Sequence, residues 1–364
     1  MPASSGGRAE NMRVTLLLLP ACLLVATPVA AQDGAFSRLA VDTTAAMDVT
    51  ATESGERMTG TVMDAVVTVS LGQGFEAIVR PWMQKLGHSD EWNRQIWLAT
   101  LRYQHTGRVG VRVDGGLIGS PVGYANMMLR PNINPTISLP SSMFVPLPGA
   151  APGTPRATLL GVLYPYGISA TASAQHWDVR AAVIDTSPLR SRRVFAESNP
   201  PRFANVVVGG GITPVIGLRI GASVTHGGWQ RAAESPGVDR DLSATVVTLE
   251  SEFAFRHTKI AAELVRDTIE TAGGHTTPDG WFVQGQQTLS PRWFAAGRVE
   301  RMTADVTTGG VAEERHYTGV ESVIGYRLTP ELTVRAGHRV RRGYGAAEAD
   351  HTATVALAWW RRWK

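Results

Sequence analysis

The chain has a single cysteine in 364 residues, Cys22, and it lies inside an N-terminal apolar run. Disulfide frameworks, thiolate catalysis and cysteine-rich metal sites are therefore excluded for the remainder. Long hydrophobic stretches are equally scarce. Beyond residue 31 no run approaches the roughly 20 apolar residues that a membrane helix needs, and mean hydropathy is near zero, at -0.05. Charge is also thin. A formal net of +4, spread without basic clusters or helical stripes, speaks against a nucleic-acid partner. Histidines are few and scattered, with no His-x-x-x-His pair, so no metal or other cofactor is expected. Glycine (38) and tryptophan (10) are plentiful, a composition suited to turn-rich all-β structure with aromatic anchors.

The N-terminus reads as an export leader. Met12-Arg13 opens the run Val14 to Ala31, which ends in Val29-Ala30-Ala31 before Gln32-Asp33. A basic start, an apolar centre and small residues at the exit describe a cleaved secretory signal over residues 1–31, with Met12 a candidate start. Residues 32–58 are polar and Thr- and Ala-rich, and read as a periplasmic tail with at most a short strand at Met47 to Thr52.

From Thr59 to the end the pattern has a period of two. Trp281, Val283, Gly285, Gln287 and Leu289 share one phase, and Phe282, Gln284, Gln286 and Thr288 the other. Ser290-Pro291-Arg292 breaks the run, and alternation resumes as Trp293, Ala295, Gly297, Val299 against Phe294, Ala296, Arg298, Glu300. Side chains on a strand change face at each step, so each such pair is a hairpin with one oily and one wet face. The unit recurs. Short joints at Ile212–Val215, Arg256–Thr258, Leu289–Arg292 and Leu328–Glu331 alternate with longer polar loops at 227–241, 270–279, 303–314 and 343–350. Short connections on one side and long ones on the other predict an all-β, transmembrane, antiparallel up-and-down barrel over residues 59–364. About sixteen strands can be counted, an even number as closure demands, with fourteen and eighteen left open.

One stretch breaks the rhythm. Gly119 to Pro155 is rich in Pro and Asn and has no sustained period; an unpatterned loop this long is usually functional or disordered. Residues 119–156 are read as a loop folded into the barrel and constricting it, with Pro121, Gly123, Asn126, Arg130, Asn132 and Asn134 its candidate functional residues. Strand-like character returns at Thr158 to Tyr164, which upsets the up-down parity. Either that piece belongs to the inserted loop, which is the favoured reading, or a strand is hidden in the N-terminal tail.

Parity also assigns the charges. Arg102, Arg112, Arg180, Arg219, Arg298, Arg335 and Arg339 fall on the water-facing phase, with Glu250, Glu252 and Glu300 beside them. Pointed outward at mid-membrane, each arginine would cost about 2–4 kcal/mol. These ten residues are the expected pore lining. A ring of cations would favour anions by focusing the field between low-dielectric walls, whereas pairing with the carboxylates would only stiffen the wall. His176 near Ser173 and Asp178 raises a hydrolase constellation, and Glu250, Glu252 and Glu263 an acid–base one; a turn histidine and a solvated wall explain them more simply. No catalytic residues are assigned.

Val109 to Gly115 running into Pro121-Val122-Gly123, and Gly167 to Asp185, resemble the stretches flanking the constriction loop of phosphate-selective (O/P-type) porins of Gram-negative bacteria. Roughly 80 residues carry the resemblance. It implies a sixteen-stranded barrel, a third long loop turned into the pore, passive passage of small hydrophilic solutes, an outer-membrane location and commonly a homotrimer. The closing run Val355, Leu357, Trp359, Trp363 resembles the signal read by the barrel-insertion machinery, although Lys364 follows the last aromatic. The inserted loop departs from the family in carrying only Arg130 and Arg156 as charges, so an arginine ladder is not transferred. Two other readings stand beside the channel: a barrel without conductance acting through its outer loops, and an exported all-β hydrolase.

Overall fold

The computed structural model describes residues 38–87, 89, 91–148, 155–161, 164–190, 202–234, 238–308 and 311–363. The chain divides into two compact units, Met1–Leu39 with Lys364 and Ala40–Trp363; the second is described here. The expected leader, residues 1–31, lies outside the described residues.

Among the described residues seventeen strands run in chain order: β1 (Leu39–Thr52), β2 (Arg57–Gly72), β3 (Phe75–Leu86), β4 (Asn93–His105), β5 (Gly110–Leu117), β6 (Tyr166–Ser173), β7 (Trp177–Ile184), β8 (Asn205–Val215) and β9 (Leu218–Gln230). They continue as β10 (Leu242–Phe255), β11 (Thr258–Thr271), β12 (Gly274–Thr276), β13 (Asp279–Thr288), β14 (Trp293–Thr308), β15 (Val311–Arg327), β16 (Leu332–Arg342) and β17 (Asp350–Trp363). The three-residue β12 only pairs with the end of β11, whose main partner is β13. The other sixteen are staves, each antiparallel to its chain neighbour, and β1 pairs with both β2 and β17, so the sheet closes on itself. Closure removes every strand edge, which is what lets a sheet stand in lipid with no backbone group unsatisfied.

Burial is inverted relative to a water-soluble protein. On β10, Leu249 is 53% exposed while its neighbour Glu250 is 5% exposed. The same holds for Val320 against Glu321 and for Val299 against Arg298. Apolar side chains thus cover the outside, and ionised groups are packed within. Trp293 and Tyr326 meet at 4.7 Å near a tight-turn end of the outer face, where an aromatic girdle belongs.

Several expectations need correction. The tail expected at 32–58 contains a full stave, β1, which closes the barrel over twelve residue pairs with β17. Its alternation is real, Ala45, Met47, Val49, Ala51 against Asp42, Thr44, Asp48, but alanine and threonine give little hydrophobic contrast. Thr158–Gly161 and Tyr164 form no strand, so both answers to the parity problem hold: the piece belongs to the long loop, and the tail hides a strand. The turn expected at Ile212–Val215 falls at Ile216-Gly217, because an irregularity in the β8–β9 pairing keeps Thr213 and Pro214 inside the strand. The loop expected at 303–314 is largely ladder, since β14 and β15 remain paired out to Thr308 and Val311.

Trp97 is the most consequential correction. Alternation puts it outside with Ala99 and Leu101, yet it is 2% exposed. The β3–β4 register slips between Arg80 and Pro81, so an extra residue on β4 bulges and turns Trp97 inward. Bulges re-aim side chains in this way, and proline within a sheet is confined to such places.

Candidate functional site

The inner face is built by register. Gln284, Arg298, Glu321 and Arg339 are direct cross-strand partners on β13 to β16, so charges of alternating sign line up along one row. Arg298 is 1% exposed; its guanidinium lies 3.0 Å from Glu321 and 3.4 Å from Glu300. Arg339 reaches Glu300 at 3.1 Å. An arginine so deeply buried is tolerable only when its donors are met, because desolvation of an unpaired charge costs several kcal/mol.

The terminal guanidinium donors are met largely by the long loop between β5 and β6, while the Arg298 Nε makes no hydrogen bond and has only the Glu300 carboxylate at 3.4 Å. Arg298 donates to the carbonyls of Ser138 (2.8 Å) and Leu139 (2.9 Å) and to the hydroxyl of Thr136 (3.0 Å). Arg335 donates to the carbonyls of Pro131, Asn134 and Thr136 at 2.5–3.0 Å. The wall carboxylates take the opposite role. Glu263 accepts the backbone N–H groups of Tyr124 (2.6 Å) and Ala125 (3.1 Å). Glu300 accepts from the backbone N–H (2.8 Å) and hydroxyl (2.6 Å) of Ser141, and Glu321 from the N–H groups of Ile137 (2.9 Å) and Ser138 (3.0 Å) and the Ser138 hydroxyl. A loop without repeating structure has no ladder of its own, so its backbone groups need such partners; here charged side chains of the wall supply them.

Of the six loop residues singled out from sequence, Pro121 is buried and Asn126 half-buried. Gly123 has φ +72, and a Cβ there would collide with the Glu263 carboxylate and Leu160, so glycine is required for this latch. Arg130 donates to the Thr44 hydroxyl at 2.8 Å and lies 3.4 Å from Asp64. Asn132 accepts from Thr44 (3.4 Å), and the Asn134 side chain stays within the loop, donating to the Ser138 carbonyl at 2.8 Å, while its carbonyl takes the bond from Arg335.

The far end of the loop is held differently. Asp64 and Arg80 form a fork-like buried ion pair at 2.6–3.1 Å, and Arg80 also donates to the Tyr164 hydroxyl at 2.7 Å. Trp82, the bulged Trp97 and Tyr164 stack successively with centroids 4.4 and 4.8 Å apart. Sequence reading missed this anchor. Asp64 and Arg80 sit in otherwise apolar runs on the inward phase, which was the available signal, but the bulge that brings Trp97 to them has no signature of its own.

The remaining lining residues form a second group on β4 to β11. Arg102 and Arg112 share Asp114, at 2.7 and 3.3 Å. Arg219 bridges Asp178 (2.9 Å) and Glu250 (2.8 Å), and Arg180 also reaches Glu250 at 3.2 Å. Glu252 pairs with Lys259 at 3.1 Å and accepts from the Tyr124 hydroxyl at 2.6 Å. All ten residues expected to line the pore lie on the inward phase; Arg298, Glu300, Arg335 and Arg339 grip the loop, Arg102, Arg112, Arg180, Arg219 and Glu250 pair along the wall, and Glu252 does both. Among the described residues no group of three His, Cys, Asp or Glu side chains could hold a metal ion. His176 turns toward the carbonyl of Thr213 at 3.1 Å.

A closed sixteen-stave antiparallel barrel, greasy outside and ionic inside, is the fold of Gram-negative outer-membrane porins. Solved structures bear this out at the level of fold. The chain is similar to Salmonella typhi OmpF in complex with daunomycin, with TM-score 0.63, 10% identity, and 89% of this chain and 97% of that one covered. It is similar to the anion-selective porin from Comamonas acidovorans (TM-score 0.58, 10% identity, 89% and 99% covered). In-vitro folded OmpT, an outer membrane protein of Vibrio cholerae, gives TM-score 0.57 at 11% identity, with 92% and 100% covered. No protein-family model matches the chain, and no curated protein does.

Proposed function

We propose that this chain is an outer-membrane porin, a passive channel for small hydrophilic solutes in which the β5–β6 loop narrows the passage. One observation carries it: the barrel is closed and apolar outside, while its inner wall spends buried carboxylates and arginines on holding one long loop in place. Rigid pore walls and a fixed constriction are what size selection requires. The reading includes cleavage of residues 1–31, insertion by the barrel-insertion machinery, a bilayer environment and a homotrimer. The ten lining residues and the six loop residues are its site. The finer kinship, with phosphate-selective porins, rests on Val109–Gly115 with Pro121-Val122-Gly123 and on Gly167–Asp185, and a modest anion preference goes with it.

Planar-bilayer recording tests this. Discrete conductance steps, enlarged by deleting residues 125–140, support the channel, and reversal potentials under a KCl gradient report its charge preference. A second reading has its own support. Val122, Met128, Met143, Leu159 and Leu160 from the loop pack with Val246, Val265, Phe282 and Met302 of the wall in one apolar cluster, which would suit a sealed barrel acting through its outer loops. Absence of conductance from correctly folded protein would select it.

A further inference from the structure

The grip of the wall on the β5–β6 loop leaves little of the loop open. From Pro121 to Val145 two residues are exposed, and both are apolar: Met127 (65%) and Ile133 (49%). The polar side chains of this segment turn largely to the wall. Tyr124 donates to Glu252, Arg130 to Thr44, and Thr136, Ser138 and Ser141 to Gln284, Glu321 and Glu300. Met127 stands on a single 3-10 turn, Ala125–Leu129, from which Ala125, Met128 and Leu129 are buried. A third apolar side chain joins from the wall. Register puts Trp360 on the inward phase of β17 with the buried Ala356 and Ala358, opposite Thr44, the residue that holds Arg130 and Asn132. Trp360 is 40% exposed. Two positions farther along β17 the Asp42–Arg362 ion pair, at 3.1 Å, returns the wall to charge.

The anchors of the loop decide where these residues face. Glu263 of β11 holds the N–H groups of Tyr124 and Ala125, and Arg130 reaches Thr44 of β1 and Asp64 of β2. Those two walls stand nearly opposite in the closed ring, so residues 124–130 cross the lumen with Met127 midway. Residues 131–141 then lie against β13 to β16. The space left over lies between the crossing and the β4–β9 arc. Depth matches as well. Glu252, which takes the Tyr124 hydroxyl, is the direct cross-strand partner of Arg219, and Arg219 pairs with Asp178 and Glu250. A passage there has charges of alternating sign on one side. On the other it has apolar surface held rigidly by the latch.

We propose that the passage selects small zwitterionic solutes that carry an apolar side chain, the charged head lying on the β4–β9 wall and the side chain on Met127, Ile133 and Trp360. A wall of paired charges offers a partner to each end of a dipolar head, whereas an ion of one sign meets both signs. Apolar surface in the lumen releases water when an apolar group covers it; a fully polar solute of the same size displaces that water without this gain. Apolar lining with a few placed polar groups is the usual make-up of a small-molecule site. The inference rests on the channel reading and names the solute class for it.

The test uses the full-length protein in proteoliposomes and reads the initial rate of osmotic swelling, with the rate of protein-free vesicles subtracted. Leucine and asparagine share the zwitterionic head and have equal numbers of heavy atoms, and arabinose is the uncharged reference for each protein. Half-burying a leucine side chain shifts a partition on the order of fivefold, so leucine is expected to enter about fivefold faster than asparagine. M127Q/I133N, which keeps the side chains near their size and makes them polar, should bring that ratio close to unity. Arg219→Gln, which strips the charged side, should slow both amino acids together relative to arabinose. Heat-modifiable gel mobility establishes that each variant is folded. Asparagine entering as fast as leucine overturns the proposal, and so does a leucine preference that survives M127Q/I133N; in both cases entry of arabinose leaves the porin reading standing. Folded protein that admits none of the three solutes overturns both.

Discussion

Glu321→Ala is the sharpest perturbation of the latch. Glu321 accepts two backbone N–H groups and a hydroxyl from Ile137 and Ser138, and a guanidinium N–H from Arg298 at 3.0 Å. Hydrogen bonds to a charged group contribute about 1.5–3 kcal/mol each, but bonds to one group are not additive. Breaking a buried pair from one side, which leaves Arg298 with less compensation, costs about 3–5 kcal/mol. Glu263 and Glu300 still grip the loop on either side, so the loss appears as local opening and not as collapse of the barrel. At 3 kcal/mol the open population rises by roughly 100-fold. Two assays read it. The Ser142 hydroxyl is buried without a partner, so Ser142→Cys is a mild reporter, and replacing Cys22 leaves it the only thiol. Its labelling rate should rise steeply in the Glu321→Ala background, and single-channel current should become larger and noisier. Unchanged labelling would refute the latch. Faster labelling with unchanged current would refute the loop as the narrowest point.

The other expectations are briefer. Asp267 is 0% exposed with both carboxylate oxygens unpartnered, so Asp267→Asn should stabilise the barrel by about 1–3 kcal/mol in urea unfolding from micelles. Gly123→Ala must force a left-handed residue, about 1–2 kcal/mol, and displace Glu263; thiol labelling at position 142 should accelerate while gel mobility stays that of a folded barrel. Burial opposes ionisation of Glu234, but bonds from the Arg190 side chain and the Arg231 N–H outweigh it and hold the carboxyl below its ordinary range. Its stabilisation is therefore complete above the unfolded-state value and lost as pH falls through the depressed one, so amide exchange around residues 231–234 should quicken below about pH 4. Asp114→Asn removes the shared partner of Arg102 and Arg112; reversal potential should move toward anions, most visibly at low salt where screening is weak.

Legibility followed contrast. The staves from β8 onward could be drawn from sequence because large apolar residues alternate with charges, as in Val247, Leu249 and Phe253 against Glu250 and Glu252. β1 escaped because alanine and threonine suit either face. Trp97 was misplaced because a bulge adds a residue without altering composition, while the positions after it, Ala99 and Leu101 outward and Thr100 and Arg102 inward, keep the phase that alternation gives them. The inward phase of Arg298, Arg335 and Arg339 was readable; their partners were not. A loop carbonyl leaves no mark in sequence, and the bond between Arg335 and Pro131 spans 204 positions. Glu263 and Glu321 fell on the correct phase too, but nothing local distinguishes a carboxylate that grips two amides from one that lines a wet wall.

The division of the inner charges bears directly on selectivity. Arg298, Arg335 and Arg339 spend their donors on the loop or on Glu300 and Glu321, and Arg298 is 1% exposed. On the channel reading they fix the shape of the passage and offer little field to a solute within it. Of the seven arginines expected to line the passage, those with the most exposed side chains are Arg112 (48%), Arg219 (31%) and Arg102 (26%), all on the β4–β9 arc. On the channel reading, the open path runs along that arc, away from the strands that hold the loop. Asp114, Asp178 and Glu250 stand beside these arginines within 3.3 Å, so the wall there alternates in sign. Such a lining orients a dipolar solute across the passage more than it attracts ions of one charge. On that same reading, the anion preference that parity alone suggested reduces to a small bias set by Arg112, the most exposed of the set, which shares its carboxylate with Arg102.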